Sequence, residues 1–350
     1  MPSQRGLGVA DDVAHTSPPW KLRVRESRPP HHGCYCDHGQ VKVLVTGGAG
    51  FIGSNLVRRF LDEGDEVVVL DDLSTGYRHN LDGLDIHFIE GSVLDQGVLE
   101  AAVRGAESIV HLAALGSIPR SIANPVATHE ANATGTLRVL EAARTTGAHV
   151  TVTSSSSVYG SVPDLPRVET LATWPMSPYG ASKLAAEGYT LAYGRSFGVE
   201  TLPLRLFNVF GPRQAVGHAY AAVIPVFIDA ALRGLPLPLE GDGRQSRDFT
   251  FVDTVTWVLA HAARNRITSD TPVNVAMGAN ISLIEVIAEL ERLVGHPLAV
   301  EPRPPRVGDV LASSADATRF HRDFPEAPSC SFRRGIDSTV QYWGARDSDA

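Results

Sequence analysis

The chain has 350 residues, of which 43% are hydrophobic and 20% are charged, and its formal net charge is −8. A chain of this length and composition can bury a substantial core, in one large or two small domains. The acidic balance gives no overall attraction to nucleic acid or to an anionic membrane, and no apolar run is long enough to span a bilayer. We therefore expect a globular protein with neither a nucleic-acid nor a membrane partner.

Cysteine is scarce, and the three cysteines are Cys34, Cys36 and Cys330. Their number and placement do not suit a disulfide framework, so a reducing cytoplasm is the predicted compartment. No basic segment followed by an apolar one, which is typical of a secretory signal, stands at the start of the chain.

Residues 1–40 differ from the rest of the chain, because they are rich in Pro, His, Arg and Gly and lack hydrophobic periodicity. We interpret them either as a disordered extension or as a tract upstream of a native start at Val41, which mass spectrometry of the natural protein would distinguish. The histidines and cysteines at 31–38 are ligand types for soft metals, but no second ligand pair follows at zinc-finger spacing. We predict no metal site.

From residue 41 to residue 207, apolar strand-like segments alternate with amphipathic helical ones. The predicted strands are 41–46, 67–71, 86–90, 108–112, 149–154 and 201–207, and the predicted helices are 51–63, 95–104, 121–146 and 177–197. This alternation is typical of an α/β fold with a Rossmann-like, doubly wound parallel sheet, here a cofactor-binding domain over 41–207. Beyond residue 208, helical segments at 219–233, 253–264 and 282–295 are separated by loops, which predicts a smaller substrate-binding region over 208–345.

The first predicted strand leads directly into the run GGAGFIG at residues 47–53, and a predicted helix follows. Gly47, Gly50 and Gly53 allow a tight turn, close approach of the backbone to a pyrophosphate, and close packing of helix on strand. The next strand ends at Asp71, where a carboxylate can bind an adenosine ribose diol and would repel a 2′-phosphate. The pattern therefore predicts an NAD site in preference to a purely structural glycine turn.

Two more predicted strands end in small or polar residues at the same crevice. The run HLAA at 111–114 lets a dinucleotide lie against the backbone, and four serines follow at 154–157. Serines after a strand are usually turn residues, but one of these is placed to donate a hydrogen bond to a reacting oxygen. Asn132 lies on a long predicted helix, where it serves either the cofactor site or an internal polar bridge.

The run SPYGASK at 177–183 places Lys183 four residues after Tyr179. Lysine is rare in this chain, because only Lys21, Lys42 and Lys183 occur among 31 basic residues. On a helix the spacing puts both side chains on one face, and a nearby positive charge stabilises a phenolate, whose reference pKa is about 10. A compact ammonium suits that role better than a planar guanidinium.

With these motifs the chain, from Val41 to about residue 340, resembles the extended short-chain dehydrogenase/reductase enzymes that act on nucleotide sugars. The resemblance rests on residues 46–53, 71–76, 111–114, Ser155, Tyr179, Lys183, Asn208 and Arg247. It implies that Tyr179 is the general base or acid, that Lys183 binds the nicotinamide ribose and lowers the Tyr179 pKa, and that Ser155 positions the sugar hydroxyl. The implied NAD-binding residues are Gly47, Gly50, Phe51, Ile52, Gly53, Asp71, Asp72, Leu112, Ala113, Ala114, Asn132, Tyr179 and Lys183.

The reaction that the resemblance implies is a 4-epimerisation. Sugar 4,6-dehydratases of this family carry Asp and Glu where this chain has Ser156 and Ser157, and serine does not readily supply the acid and base that eliminate water. UDP-glucuronate decarboxylases usually keep the glutamate that Ser157 replaces. In a 4-epimerase, Tyr179 removes the C4 hydroxyl proton while hydride passes to NAD, and the resulting 4-keto sugar takes the hydride back on its other face.

On the substrate side, the resemblance implies a pocket for a UDP-sugar. The segment at 115–121 is similar to that of epimerases that prefer N-acetylated sugars, and Ala222 and Ser313 are small where glucose-restricted enzymes carry larger groups. We therefore expect UDP-N-acetylglucosamine as the favoured substrate, with UDP-glucose as the alternative. The implied substrate-binding residues are Gly116, Ser117, Ser155, Ser156, Asn208, Ala222, Arg247, Arg306, Asp309 and Ser313.

Other functions stay open at this point. One departure from the family is Ser92, which stands where an aspartate usually lies near the adenine and so weakens one cofactor contact. A UDP-glucuronate epimerase or an antibiotic-pathway sugar enzyme would use the same scaffold. A non-catalytic dinucleotide sensor is a further alternative, although such proteins have often lost the tyrosine or lysine kept here. The resemblance also implies a homodimer in which helices 121–146 and 177–197 form a four-helix bundle.

Overall fold

The computed structural model of the protein describes residues 39–216, 222–304 and 312–347. The N-terminal tract up to residue 38, with its histidines and cysteines, lies outside the described residues, as do Arg306 and Asp309. Within the described part of the chain, no helix combines the length and the apolar character needed to cross a membrane.

Each of the six predicted strands is present, with ends within a few residues of the predicted positions, and the described residues form eight further strands of two to four residues. The strands are β1 Lys42–Thr46, β2 Glu66–Asp71, β3 His87–Glu90, β4 Ser108–His111, β5 His149–Ser155, β6 Thr201–Leu206, β7 Val209–Phe210, β8 Leu237–Glu240, β9 Ser246–Arg247, β10 Thr250–Phe251, β11 Val273–Val275, β12 Ile281–Ser282, β13 Val300–Arg303 and β14 Ala312–Ser313. The helices are α1 Phe51–Asp62, α2 Gln96–Ala102, α3 Ile118–Ala123, α4 Pro125–His129, α5 Gly135–Thr146, α6 Pro178–Phe197, α7 Val223–Leu232, α8 Val252–Asn265, α9 Leu283–Val294, α10 Thr318–Asp323 and α11 Phe332–Asp347.

Seven of these strands form one parallel sheet in the order β3-β2-β1-β4-β5-β6-β11. The chain runs outward from β1 to β3 and then returns to β4, so the strand order reverses between β1 and β4. In doubly wound sheets this reversal opens a crevice at the carboxyl ends of the strands, where ligands bind. The predicted Rossmann-like fold is confirmed. The seventh strand, β11, comes from beyond residue 207, so the substrate-binding region also contributes to the central sheet.

Helices cover both faces of this sheet. On one face α1 and α8 bury Leu56, Phe60 and Leu259 against β1 and β6. On the other face α2 and α5 bury residues such as Leu99 and Leu140. Because strands between two helical layers are buried on both faces, β1 and β2 read as continuous apolar runs and show no alternation.

The long helix predicted over 121–146 is interrupted in the structure. Pro125 lacks an N–H and disfavours helical geometry at the residue before it, so α3 stops and Asn124 takes a non-helical conformation, with φ of −142° and ψ of 81°. Asn124 then caps α4 by accepting a hydrogen bond from the backbone N–H of Ala127 at 3.1 Å. The helix continues through one π-helical turn at Glu130–Thr134 into α5.

The C-terminal region is built differently, from short strands and a separate apolar core. Three small sheets form here, namely β10-β7, β12-β9-β14 and β13-β8. Their core lies between α7, α9 and α11 and contains Phe227, Val286, Leu290 and Ile336. This arrangement places β9 and the start of α7 opposite the carboxyl ends of the central strands.

Candidate active site

A cavity of about 1530 Å³ lies between the carboxyl ends of the central strands and the C-terminal region. Nearly all of the predicted site residues that the structure describes line it. They are Gly47, Gly50, Phe51, Ile52, Gly53, Asp71, Asp72, Leu112, Ala113, Ala114, Gly116, Ser117, Ser155, Ser156, Tyr179, Lys183, Asn208, Ala222 and Arg247. Asn132 and Ser313 are the described exceptions.

The turn after β1 has room only for glycine at two positions. Gly47 has a φ of 72°, and a Cβ there would lie 2.6 Å from the backbone nitrogen of Ala113. A Cβ on Gly53 would lie 2.2 Å from the carbonyl oxygen of Gly47, because α1 starts directly against the turn. This tight geometry leaves the backbone of the turn facing the cavity, as a pyrophosphate-binding turn requires.

Asp71 stands at the end of β2 with its carboxylate held by the backbone. Oδ2 accepts a hydrogen bond from the N–H of Ala49 at 2.9 Å, and Oδ1 accepts one from the N–H of Leu73 at 2.8 Å. Burial raises the pKa of the Asp71 carboxyl, and these two hydrogen bonds oppose that effect. Each oxygen keeps a second lone pair that can accept a hydrogen bond from a ribose hydroxyl, so the carboxylate fits the adenosine ribose of NAD.

A buried histidine links three elements beneath the glycine turn. His111 Nδ1 lies 2.7 Å from the hydroxyl of Thr46, and its Nε2 lies 3.1 Å from the hydroxyl of Thr136. Thr46 also accepts a hydrogen bond from the N–H of Ala113 at 3.3 Å. Burial, helped by the charge of Lys183, lowers the pKa of His111 to about 3, so the ring is neutral at pH 7. The bridge therefore fixes β1 against β4 without adding a charge.

The candidate catalytic residues converge from β5 and α6. Ser155 Oγ accepts a hydrogen bond from the N–H of Ser157 at 3.1 Å, and Ser155 lines the cavity together with Tyr179. Lys183 Nζ donates to the carbonyl oxygen of Thr153 at 2.9 Å, which ties the helix to the strand. The cap at Ser177, whose hydroxyl accepts from the N–H of Gly180, starts α6 just before Tyr179.

Burial shifts the pKa values of both members of the tyrosine–lysine pair. It raises the pKa of the Tyr179 phenol, and hydrogen bonding with Ser155 opposes that effect. Burial lowers the pKa of Lys183 to about 8. The Lys183 ammonium is directed to the Thr153 carbonyl at the end of β5.

Asn132 takes the internal bridging role, one of the two roles considered for it. Its Oδ1 accepts from the N–H of Leu115 at 2.7 Å, and its Nδ2 donates to Ser182 Oγ at 2.9 Å. The side chain is 1% exposed. It therefore connects the cavity-lining segment at Leu115 to the helix that carries Tyr179, from behind the cavity wall.

The substrate wall depends on contacts between distant segments. Asn208 Nδ2 donates to the carbonyl oxygen of Asp248 at 2.9 Å. The buried Asp248 carboxylate in turn accepts from the N–H groups of Met277 and Gly278 at 3.0 and 2.9 Å. Burial raises the pKa of Asp248 to about 6, although these hydrogen bonds act to lower it. One buried acid therefore holds the loops that surround Arg247.

Ser313 lies on β14, where it pairs in register with Arg247 of β9, and it is not among the cavity-lining residues. The parallel pairing therefore places Ser313 beside Arg247, outside the lining of the described cavity. Ala222 does line the cavity.

Sequence reasoning missed several lining residues of the substrate side. They are Arg213, Val226, Phe227, Phe249 and Arg303. Arginine is abundant in this chain, and these residues follow no motif, so their positions in the sequence carried no signal. They come together only when the C-terminal region packs against the ends of the central strands.

The model of the NAD dependent epimerase/dehydratase family matches residues 43–276. The chain belongs to this family. A UDP-glucose 4-epimerase of Mycolicibacterium smegmatis is 36% identical over 310 residues, which cover 87% of this chain and 98% of that relative. The predicted resemblance, the NAD cofactor and the assignment as an enzyme are thereby confirmed.

Solved structures share the fold over nearly the whole chain. The UDP-glucose 4-epimerase of Thermotoga maritima, solved with UDP-glucose, has a TM-score of 0.83 and 31% identity, covering 89% of this chain and all of that one. The UDP-N-acetylglucosamine 4-epimerase of Methanobrevibacter ruminantium, solved with UDP-N-acetylmuramic acid, has a TM-score of 0.83 and 33% identity. The match covers 88% of this chain and 99% of that one.

Proposed function

We propose that the protein interconverts UDP-hexoses that differ in configuration at C4, through a 4-keto sugar. The observation that carries this proposal is the composition of the cavity wall after β5. Ser155 and Tyr179 line this wall together, and serines stand at 156 and 157 where a water-eliminating enzyme needs an acid and a base. The wall therefore supports proton transfer at one hydroxyl without elimination.

The residues at the end of β5 handle the proton. Tyr179 Oη accepts the proton of the C4 hydroxyl and later returns it to the C4 oxygen. No proton is therefore gained or lost over one complete cycle. Ser155 Oγ donates a hydrogen bond that stabilises the phenolate of Tyr179. When bound, NAD supplies a hydride acceptor that also gives the hydride back. The glycine turn, Asp71 and Lys183 would hold it.

Epimerisation also requires that the keto sugar turn within the cavity while it stays bound. The cavity of about 1530 Å³ is large enough for this movement beside a dinucleotide. Arg247 and Arg303 line the far wall, and a guanidinium suits the oxygens of a diphosphate. Binding through the diphosphate leaves the hexose free to present either face to Tyr179.

UDP-glucose is the first candidate substrate, since the relative from Mycolicibacterium smegmatis is named for it. UDP-N-acetylglucosamine is the second candidate, favoured by the small Ala222 in the cavity wall and by the segment at 115–121. We propose that the enzyme accepts both sugars.

A substrate panel tests the proposal. The purified protein is incubated with NAD and, separately, with UDP-glucose, UDP-N-acetylglucosamine and UDP-glucuronate, and the UDP-sugars are separated by chromatography. We expect the C4 epimer of at least one of the first two, and a loss of at least about 100-fold in Tyr179→Phe. Formation of no C4 epimer from either sugar, or full turnover by Tyr179→Phe, would contradict the proposed function.

We also propose that two copies of the chain pair through α4, α5 and α6. The motivating observation is that Val126 on α4 and Tyr189 on α6 are large apolar or aromatic side chains that are 65% and 43% exposed. Pairing these helices across a twofold axis would cover them. Sedimentation velocity should give twice the mass of one chain, and Val126→Glu should shift the protein toward the monomer. A wild-type monomer at micromolar concentration would contradict the dimer.

A further inference from the structure

Glu187 is a buried acid on α6 that lies outside the cavity wall. It follows Lys183 by four residues and Tyr179 by eight, so the three side chains share one side of the helix. The residue as a whole is 3% exposed. A carboxylate so deeply buried must have strong partners, and it has them on two neighbouring strands.

Its first partner is a bidentate ion pair with Arg205 of β6. Arg205 Nη2 donates to Oε1 at 2.6 Å and Nε donates to Oε2 at 2.9 Å, and both side chains are 4% exposed. Although burial disfavours its charge, the hydrogen bonds and attraction of Glu187 raise the pKa of Arg205 above its ordinary value. The Arg205 guanidinium also lies 4.7 Å from the ring centre of Tyr159.

The second partner connects Glu187 to the catalytic strand. Ser154 Oγ donates to Oε2 of Glu187 at 2.7 Å, and Ser154 immediately precedes Ser155 on β5. Ser154 and Arg205 are direct neighbours in the β5–β6 register. One carboxylate therefore joins α6, which carries Tyr179, to two strands. These are β5, which carries Ser155, and β6, which leads to Asn208.

Stability alone does not account for this arrangement. A buried ion pair adds little net stability over apolar residues of similar size, because desolvation offsets the attraction, whereas removing a single partner is strongly destabilising. A fixed geometry is a better explanation, since a misplacement of about 1 Å can reduce a rate by about 100-fold.

We propose that Glu187 is a positioning residue, which fixes the distance between Tyr179 on α6 and Ser155 on β5 by anchoring α6 to Ser154 and Arg205. It does not touch the substrate or the cofactor. Its effect on the rate rests on the proposed function, whereas its effect on the distance between Ser155 and Tyr179 does not.

The test replaces the pair and not one partner. The double variant Glu187→Met, Arg205→Met removes the anchor without leaving a buried charge, and Ser154→Ala removes only the link to β5. The matched control is Asp65→Met, Arg264→Met, which removes another bidentate ion pair, with bonds of 2.8 and 3.1 Å, between the α1–β2 loop and α8. Asp65 and Arg264 do not line the cavity.

Three measurements are made on each variant: thermal unfolding, kcat and KM for the active UDP-hexose, and a crystal structure that gives the distance between Ser155 Oγ and Tyr179 Oη. We expect the folded Glu187/Arg205 variant to lose at least about 10-fold in kcat with KM within threefold, and to lengthen that distance. The Asp65/Arg264 control should keep the wild-type kcat and the wild-type distance between Ser155 Oγ and Tyr179 Oη. A role confined to stability would lower the unfolding temperature and leave kcat unchanged.

The inference is overturned if the folded double variant keeps either the wild-type kcat or the wild-type Ser155–Tyr179 distance. If the double variant does not fold, Ser154→Ala is judged by the same two readouts. A wild-type protein without epimerase activity would contradict the proposed function, and the crystallographic distance would then decide the positioning role by itself.

Discussion

The cofactor side and the substrate side of this cavity are fixed in different ways. On the cofactor side, backbone atoms and small residues at consecutive strand ends set the shape, as at Gly47 and Gly53. On the substrate side, side chains from separate loops and short strands converge, and the buried Asp248 holds those loops together. The difference shows that a site made by the local backbone is encoded in a short motif, whereas a site made by convergence is not.

The largest effect should come from the cofactor side, where no space exists for a side chain. In Gly53→Ala the new Cβ would meet the Gly47 carbonyl oxygen at 2.2 Å, so α1 must move away from the turn. We expect the affinity for NAD to fall at least about 10-fold and the unfolding temperature to drop by several degrees. Fluorescence titration with NAD and thermal unfolding would measure both changes.

A suitable control is Gly97→Ala on α2. A Cβ at this exposed position would lie 3.6 Å from Asp95 Oδ1, which is ordinary contact. NAD affinity and stability should therefore be close to wild type or slightly improved. Wild-type NAD affinity in Gly53→Ala would show that the turn tolerates movement, and would remove the distinction between the two sides.

A smaller effect, confined to binding, is expected on the substrate side. Arg247 lines the far wall, away from the reacting C4 position in the proposed function. Arg247→Leu should raise KM for the UDP-hexose by about 10- to 100-fold, since a hydrogen bond to a charged group is worth about 1.5–3 kcal/mol. The kcat should change less than about threefold, because this contact is the same in the ground state and the transition state. Steady-state kinetics would separate the two parameters.

Arg244→Leu, three residues before Arg247 and ahead of β9, provides the comparison. Arg244 does not line the cavity, and its side chain is 85% exposed. Its replacement should leave KM unchanged. If Arg247→Leu lowered kcat with no change in KM, Arg247 would act on the reacting atoms, and the substrate wall would have a catalytic role.

The sequence predicted six of the seven strands of the central sheet, because each is a short run rich in apolar residues, but it did not predict β11. It failed at the helix over 121–146, where the local effect of Pro125 stops one helix and starts another. The spacing of Tyr179 and Lys183 also did not reveal that the carbonyl of Thr153 receives the Lys183 ammonium. Ser313 was predicted as a pocket residue, but its strand pairing places it outside the lining of the described cavity.

The sequence by itself determined the Rossmann-like sheet, the glycine turn, Asp71 and the Tyr179–Lys183 pair. These features depend on residues that are close along the chain, so the backbone path that they impose brings them to one edge of the sheet. Only the tertiary structure decided that Asn132 is an internal bridge, that Arg303 and Phe249 line the cavity, and that Glu187 joins α6 to β5 and β6. Those contacts join residues far apart in the chain, and they form only when the helices and the C-terminal region pack against the sheet.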